Sequence, residues 1–275
     1  MENTLNGDEL GWKAELNLGF AYRANRTVLA HRNHVGPLTV QRPFYPEGGL
    51  CHVYILHPPG GIVAGDNLLI DVQLDDEAKA LITTPGAAKF YRSTGEQAVQ
   101  HVSLNVKENA VLEWLPQETL VFEGARLLSD VRVDLHKNAR FIGWEICALG
   151  RPAADEGFKQ GEVLLNWRIF RNEQPLFLEK MQLDSGAFLA RWGLNGYSSF
   201  GTLFAVGASV VNLEAVRTLI ADAPGQGVTL IDDLLICRAT AETTLPVRQL
   251  FENVRSLIRN DIVQKEPYTP RIWAT

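Results

Sequence analysis

The run Leu68-Leu69-Ile70-Asp71-Val72-Gln73-Leu74 reads with a strict period of two. Successive side chains of a strand point to opposite faces. Leu68, Ile70, Val72 and Leu74 therefore share one side and Leu69, Asp71 and Gln73 the other, the pattern of a half-buried strand. Working outward, the same alternation recurs over residues 100–106, 111–115, 131–135, 140–147, 162–170 and 176–183, with Gly, Pro, Asn or charged turns between. No long helical pattern interrupts the series.

Near the C-terminus the period changes. Leu213, Val216 and Ile220 recur at helical spacing behind Asn212, a good N-cap residue, and Pro224-Gly225 ends the run. A second helix is expected after Thr244, with Pro246 in its first turn and an apolar stripe of Leu250, Val254, Leu257 and Ile258. Residues 228–237 between them read as one more strand. With 275 residues, 46% of them hydrophobic, and no linker-like concentration of Pro or Gly, the chain is expected to form a single domain over residues 1–275. Residues 1–11 read as a flexible polar lead-in. The pattern is mainly β with two C-terminal α-helices, and no repeat of fixed length is present.

Composition removes several classes of function. A net charge of −6 lacks the clustered cations that a phosphate backbone requires, so nucleic acid is not an expected partner. The acidic, polar start is unlike a secretory signal, and no apolar run has membrane length, so a cytoplasmic protein with no membrane partner is expected. Cys51, Cys147 and Cys237 are far apart, form no CxxC pair and read as buried thiols of a reducing compartment.

The motifs carry little catalytic chemistry. HPPGGIVAGDNL, from His57, is Gly-rich but lacks the GxxxxGK[ST] lysine. It reads as a tight turn with close backbone approach, and it could also shape a channel. There is no GxSxG elbow and no HExxH helix. His31, His34, His52 and His57 lie close in sequence without a metal-binding spacing, and His52, between Cys51 and Val53, reads first as a hydrogen-bonded core residue.

Acids on apolar strand faces are more informative. Glu179 shares a face with Phe177, Met181 and Leu183, Glu145 with Phe141, Gly143 and Cys147, and Glu113 with Val111 and Leu115, while Asp66 follows the Gly-rich turn. A buried carboxylate must be solvated or paired. Two readings follow: the lining of a wet interior passage, or buried salt bridges to Arg92, Arg126, Arg151 or Lys89.

A series of local signatures then narrows the choice: HVGPLTVQRPFYPEG from His34, CHVYILHPPGGIVAGD from Cys51, LITTPGAAKFYRSTG from Leu81, LEWLPQETLVFEGA from Leu112, WEICALGRPA from Trp144 and the closing PRIW from Pro270. Together they resemble the UreD (UreH) family of urease accessory proteins, over nearly the whole chain. The polar lead-in is longer than the family core needs, and the stretch from Leu213 to Arg238 carries weaker signatures. The resemblance implies an irregular helical, β-solenoid-like fold. It implies a non-enzymatic scaffold that binds apo-urease and UreF, reaches the GTPase UreG through UreF and the nickel donor UreE only indirectly, and helps nickel into the urease active site.

On that basis no cofactor is tightly bound and nickel is in transit, through an internal water-filled route. Asp66, Glu145 and Glu179 are its leading candidates, with Glu113 and His52 behind them, since scattered oxygen and imidazole donors let an ion exchange. Leu250, Phe251, Val254 and Trp273 are candidates for docking the UreF-type partner, the alternative being that they pack on the β core. The rival functions are a carboxylate-paired lyase or glycoside hydrolase, which the acids on β faces would suit, and a nickel store, against which the absence of a His-rich tract counts.

Overall fold

The computed structural model describes residues 11–154 and 156–274, so nearly all of the lead-in expected at residues 1–11 lies outside the described residues. The chain opens with a hairpin, β1 (Lys13–Arg23) and β2 (Arg26–Val35), followed by β3 (Thr39–Val40) and β4 (Cys51–Leu56). It then winds back and forth between two sheets through β5 (Asn67–Leu74), β6 (Lys79–Thr83), β7 (Ala88–Phe90), β8 (Ala98–Val106), β9 (Val111–Leu115), β10 (Thr119–Val121), β11 (Arg126–Leu135), β12 (Arg140–Leu149) and β13 (Glu162–Arg171). β14 (Gln174–Leu183), α1 (Ser185–Leu189), β15 (Ser199–Val206), α2 (Val210–Ile220), β16 (Gln226–Ile231), β17 (Leu234–Ala241) and α3 (Thr244–Val263) complete it.

The smaller sheet has the order β14-β13-β11-β8-β5-β1-β2. The larger runs β16-β17-β15-β12-β9-β6-β4-β3, with β10 and β7 attached beside β12. Strands β5, β8, β11 and β13 pair in parallel, as do β4, β6, β9 and β12, so each coil adds one rung to both sheets. Ile70, Val102, Val131 and Trp167 form one such row in successive coils. This is the β-solenoid-like winding, closed at one end by the hairpin of β1 and β2 and at the other by antiparallel β14 and β15.

The period-two stretches match the strands to within two residues at each end, except that β11 begins five residues before the expected 131–135. Residues 228–237 do not form one strand. Asp232, at φ 52°, and Asp233 turn the chain, and β16 folds back on β17 as a hairpin. The N-cap of α2 is Ser209, not Asn212. Asn212 is the third helical residue, and its side chain accepts from the Ser209 backbone N–H in a capping box. The five-residue α1, whose Asp184 cap accepts from the Ala187 N–H, is too short to show a period and was not anticipated.

Two apolar layers result. One lies between the sheets; the other lies between the outer face of the larger sheet and helices α2 and α3. Gly201 permits the close seating of α3, because a Cβ there would sit 2.8 Å from a Phe251 ring carbon and 2.9 Å from Val247. Leu250, Val254 and Ile258 are buried in this layer, whereas Leu257, expected in the same stripe, is 47% exposed.

Helix α3 also brings two arginines onto a carboxylate. Glu113, fully buried on β9, accepts from Arg255 Nε at 2.7 Å and from Arg259 Nη2 at 2.9 Å. Arg259 reaches Glu47 as well (2.6 Å), and both arginines donate to carbonyls of the tail, at Tyr268 and Glu266. Burial alone would raise the Glu113 carboxyl, but the two guanidiniums outweigh it and hold the group below the ordinary carboxylate range. Burial of Glu47 is likewise outweighed by His52 and Arg259, which hold it down at about 2.

Removing one partner of such a network leaves the others buried and unpaired. Glu113→Gln is expected to lower stability by about 3–5 kcal/mol in urea unfolding, whereas Glu162→Gln, at the half-exposed pair with Arg126, should cost less than about 1 kcal/mol. Because both network carboxyls are depressed in the folded chain, their contribution is complete above the ordinary carboxylate pKa of 4.5 and is lost as pH falls below it, for Glu47 toward about 2. The difference in stability between wild type and Glu113→Gln should therefore shrink across that window.

Candidate functional site: a polar seam between the sheets

The pleat of the larger sheet separates the acids that the sequence singled out. On β12, Phe141, Cys147 and Leu149 face the layer between the sheets, and Ile142, Trp144 and Ile146 face the helices. Glu145 therefore points between the sheets. On β9 the parity is the other way, with Leu112 and Trp114 inward and Val111 and Leu115 outward, so Glu113 faces α3.

Glu145 begins a polar row. Cross-strand register carries it to Thr202 on β15 and then to Arg238 on β17, both on the same inner face. From the smaller sheet the row is met by Ser129, Trp167 and Glu179. Trp167 Nε1 donates to Glu145 Oε2 (3.1 Å), Ser129 Oγ to Oε1 (3.4 Å), and Arg238 Nη2 to Glu179 Oε1 (2.6 Å). Trp167 and Glu179 are register partners on β13 and β14. Glu145, Ser129 and Thr202 thus interrupt an otherwise apolar interior, and the row ends in the half-exposed pair of Arg238 and Glu179 at the edge of the two sheets.

Burial pushes the Glu145 carboxyl up to about 7; the hydrogen bonds from Trp167 and Ser129 pull it back in part, and the negative charge of Glu179 adds to the rise. Near neutral pH the group therefore exchanges its proton readily.

Glu145 borders a cavity of about 70 Å³ that Trp144, Trp167, Thr119 and Gln117 also line. A second cavity, of about 220 Å³, adjoins it, sharing Ile55, Ile70, Thr84, Ala88 and Gln100. The larger one reaches the surface at His57, Pro59 and Gly60 on one side and Pro85, Gly86 and Lys89 on the other. The Gly-rich turn therefore forms its rim. Gly61 makes the close approach there, since a Cβ would lie 2.0 Å from the Tyr91 ring, while a Cβ at Gly60 would meet nothing.

The other candidates lie elsewhere. Asp66 is fixed within its turn, where Oδ1 accepts from the Trp12 N–H (2.7 Å) and Oδ2 from the Val63 N–H (2.9 Å). His52 faces the helices, with Nε2 2.8 Å from Glu47 Oε1 and its ring edge-on to Tyr268. Glu113 is held by Arg255 and Arg259, so it is a buried ion pair, with partners other than the four cations considered from sequence. Of those four, Arg126 pairs with Glu162 and Arg151 with Glu156. Among the described residues no three His, Cys, Asp or Glu side chains cluster as a metal site, and all three cysteines are buried and free.

Leu250, Phe251 and Val254 are buried under α3, and Trp273 is half-buried, with its Nε1 donating to Thr83 Oγ1 (2.9 Å) and its ring 5.5 Å from that of Trp144. They pack on the β core. Arg238, Thr202, Ser129 and Trp167 were not singled out from sequence. Arg238 was legible by the same reasoning as Glu179, since it alternates in phase with Leu234 and Ile236.

Comparison with known proteins settles the family. The family model described as UreD urease accessory protein matches residues 13–274. The chain belongs to the UreD family of urease accessory proteins. Proteins named urease accessory protein UreD from Alcanivorax borkumensis and Aliivibrio fischeri are each 41% identical to it, covering 98% of this chain and 94% and 99% of their own lengths. One from an Enterobacter species is 42% identical over 96% of both chains. UreD-family membership makes this an accessory protein in urease maturation, in keeping with the expectation that it is not an enzyme. No helix among the described residues is long and apolar enough to cross a membrane.

The raised Glu145 carboxyl has a measurable consequence for this UreD-family chain. Between 4.5 and about 7 the folded protein holds a proton there that the unfolded chain has released, so stability falls as pH rises through that window. Glu145→Gln keeps an acceptor for Trp167 and removes the penalty. Relative to wild type, the variant should gain stability from pH 5 to pH 8, by up to about 3 kcal/mol in urea unfolding.

Proposed function

We propose that this chain holds apo-urease together with UreF and, through UreF, the GTPase UreG, in the cytoplasm, and that it passes nickel toward the urease active site along the layer between its two sheets. The observation that carries the route is the pair of adjoining cavities leading from the Gly-rich rim to Glu145. Nickel is cargo here. A passage must release its ion, and a single exchangeable carboxyl, hydrogen-bonded by Trp167 and Ser129, suits brief contact better than a closed ligand set.

Glu145 and Glu179 are the two acids of the original set that meet in this layer. Glu179 is engaged by Arg238, so an ion moving beyond Glu145 meets a guanidinium that must yield the carboxylate. Asp66, near the rim and bound to two backbone N–H groups, shapes the turn. Entry of a dication at Glu145 favours the ionised carboxyl, so delivery should weaken as pH drops below about 7. A partner laid on α3 would meet its solvent side, where Leu245 and Leu257 are exposed, in place of the buried Leu250, Phe251 and Val254.

Two variants test the route without removing the fold's anchors. Glu145→Gln removes the exchangeable charge, and Ala88→Leu narrows the wall shared by the two cavities. In cells expressing urease and the other accessory proteins, both should lower nickel per urease severalfold while the complex with urease and UreF still co-purifies. Full nickel loading by folded variants would eliminate the passage.

A further inference from the structure

Along one side of the solenoid the chain crosses from the smaller sheet to the larger through stacked turns, in which Glu77, Asn109 and Asn138 adopt φ values of 64°, 57° and 58°. Beside these turns, and away from the polar seam, lies a depression of about 550 Å³. Its lining includes Lys79, Lys137, Arg140 and Arg171, with Asn109 and Asn138. One carboxylate, Asp233, borders it, and that group is already claimed by Arg171 through two hydrogen bonds of 2.9 and 2.8 Å.

The other three cations have no carboxylate partner among the described residues. Lys79 Nζ donates to Gln264 Oε1 (3.0 Å), and Arg140 Nη1 donates to the carbonyls of Asp261 (2.6 Å) and Ile262 (3.3 Å) at the end of α3. Burial and the nearby charges of Lys265 and Arg140 together hold the Lys79 ammonium below its ordinary range. Like charges have thus been gathered into one concavity of a chain whose net charge is −6.

Capping the C-terminal end of α3 accounts for Arg140, because cations favour the negative end of a helix. It does not account for Lys137, which is exposed on the turn between β11 and β12 and has no bond to the helix. The arrangement as a whole fits an anion. A single carboxylate would use one of the cations; the Arg140 guanidinium charge beside two ammonium groups and amide side chains matches the several oxygens and multiple charge of a phosphate chain, and the volume is that of a small-ligand pocket.

We propose that this depression binds a compact phosphate-class polyanion, separately from any route for nickel. The test is isothermal titration of the full chain with inorganic pyrophosphate in metal-free buffer at constant ionic strength, with sulfate and ATP as parallel titrants. Saturable binding of one pyrophosphate per chain is expected, tighter than sulfate. Lys137→Ala and Lys79→Met should each weaken it by about tenfold or more, equivalent to about 1.4 kcal/mol. Lys137→Ala removes an exposed side chain, so its unfolding temperature should be unchanged and lost affinity would report the site itself. ATP binding as tight as pyrophosphate would identify a phosphoryl group carried on a larger molecule as the ligand, and much weaker ATP binding would identify the free anion. No saturation at millimolar pyrophosphate, or equal affinity in the folded Lys137→Ala variant, would overturn the proposal.

Discussion

The pleat of the larger sheet is the constraint on which the rest of the molecule depends. Strands β9 and β12 lie side by side and are covered on both faces, by the smaller sheet within and by α3 without. One residue of parity sends a side chain into one layer or the other. Glu113 and Glu145 look equivalent as acids on apolar strands, yet the first meets two arginines of a helix and the second a tryptophan and a serine beside a cavity. The first is locked as a charge, and the second is poised to lose or take a proton.

These two fates divide the labour of the structure. The outer layer is held by apolar burial and by the network of Glu113, Arg255, Arg259, Glu47 and His52, which ties a helix, a strand, a loop and the tail together. The inner acids sit where the antiparallel end strands β14, β15 and β17 close the solenoid, and Arg238 with Glu179 spans the two sheets there. The winding thus places an exchangeable acid, Glu145, in the interior, while the Gly-rich turn, seated closely on the Tyr91 ring at Gly61, rims an opening at the surface.

Much of this was legible in the sequence because strands alternate with an invariant period. The run from Leu68 to Leu74 and the acids Glu145 and Glu179 were each placed on the correct face by that rule alone. What the rule cannot supply is the identity of the layer. Glu113 shares a face with Val111 and Leu115 in either reading, and only the position of α3 shows that the face looks outward. Local turn chemistry was the other gap. The segment 228–237 carries its turn in Asp232-Asp233, without the Asn-Gly or Gly pair that marks a tight hairpin, and the capping box of α2 begins at Ser209, three residues before the asparagine that looked like the cap. Phe251 and its neighbours show the limit of amphipathic reasoning, since an apolar helical stripe fits a core as well as an interface.

The role proposed for this UreD-family chain is to bring nickel to urease. The most direct measurement is the nickel content and activity of urease purified from cells that express the urease subunits and the remaining accessory proteins, with and without this gene, at matched urease abundance. Nickel-poor, inactive urease is expected in its absence, with recovery of both nickel and activity when the gene is restored. Equal nickel and activity in the two strains would contradict it.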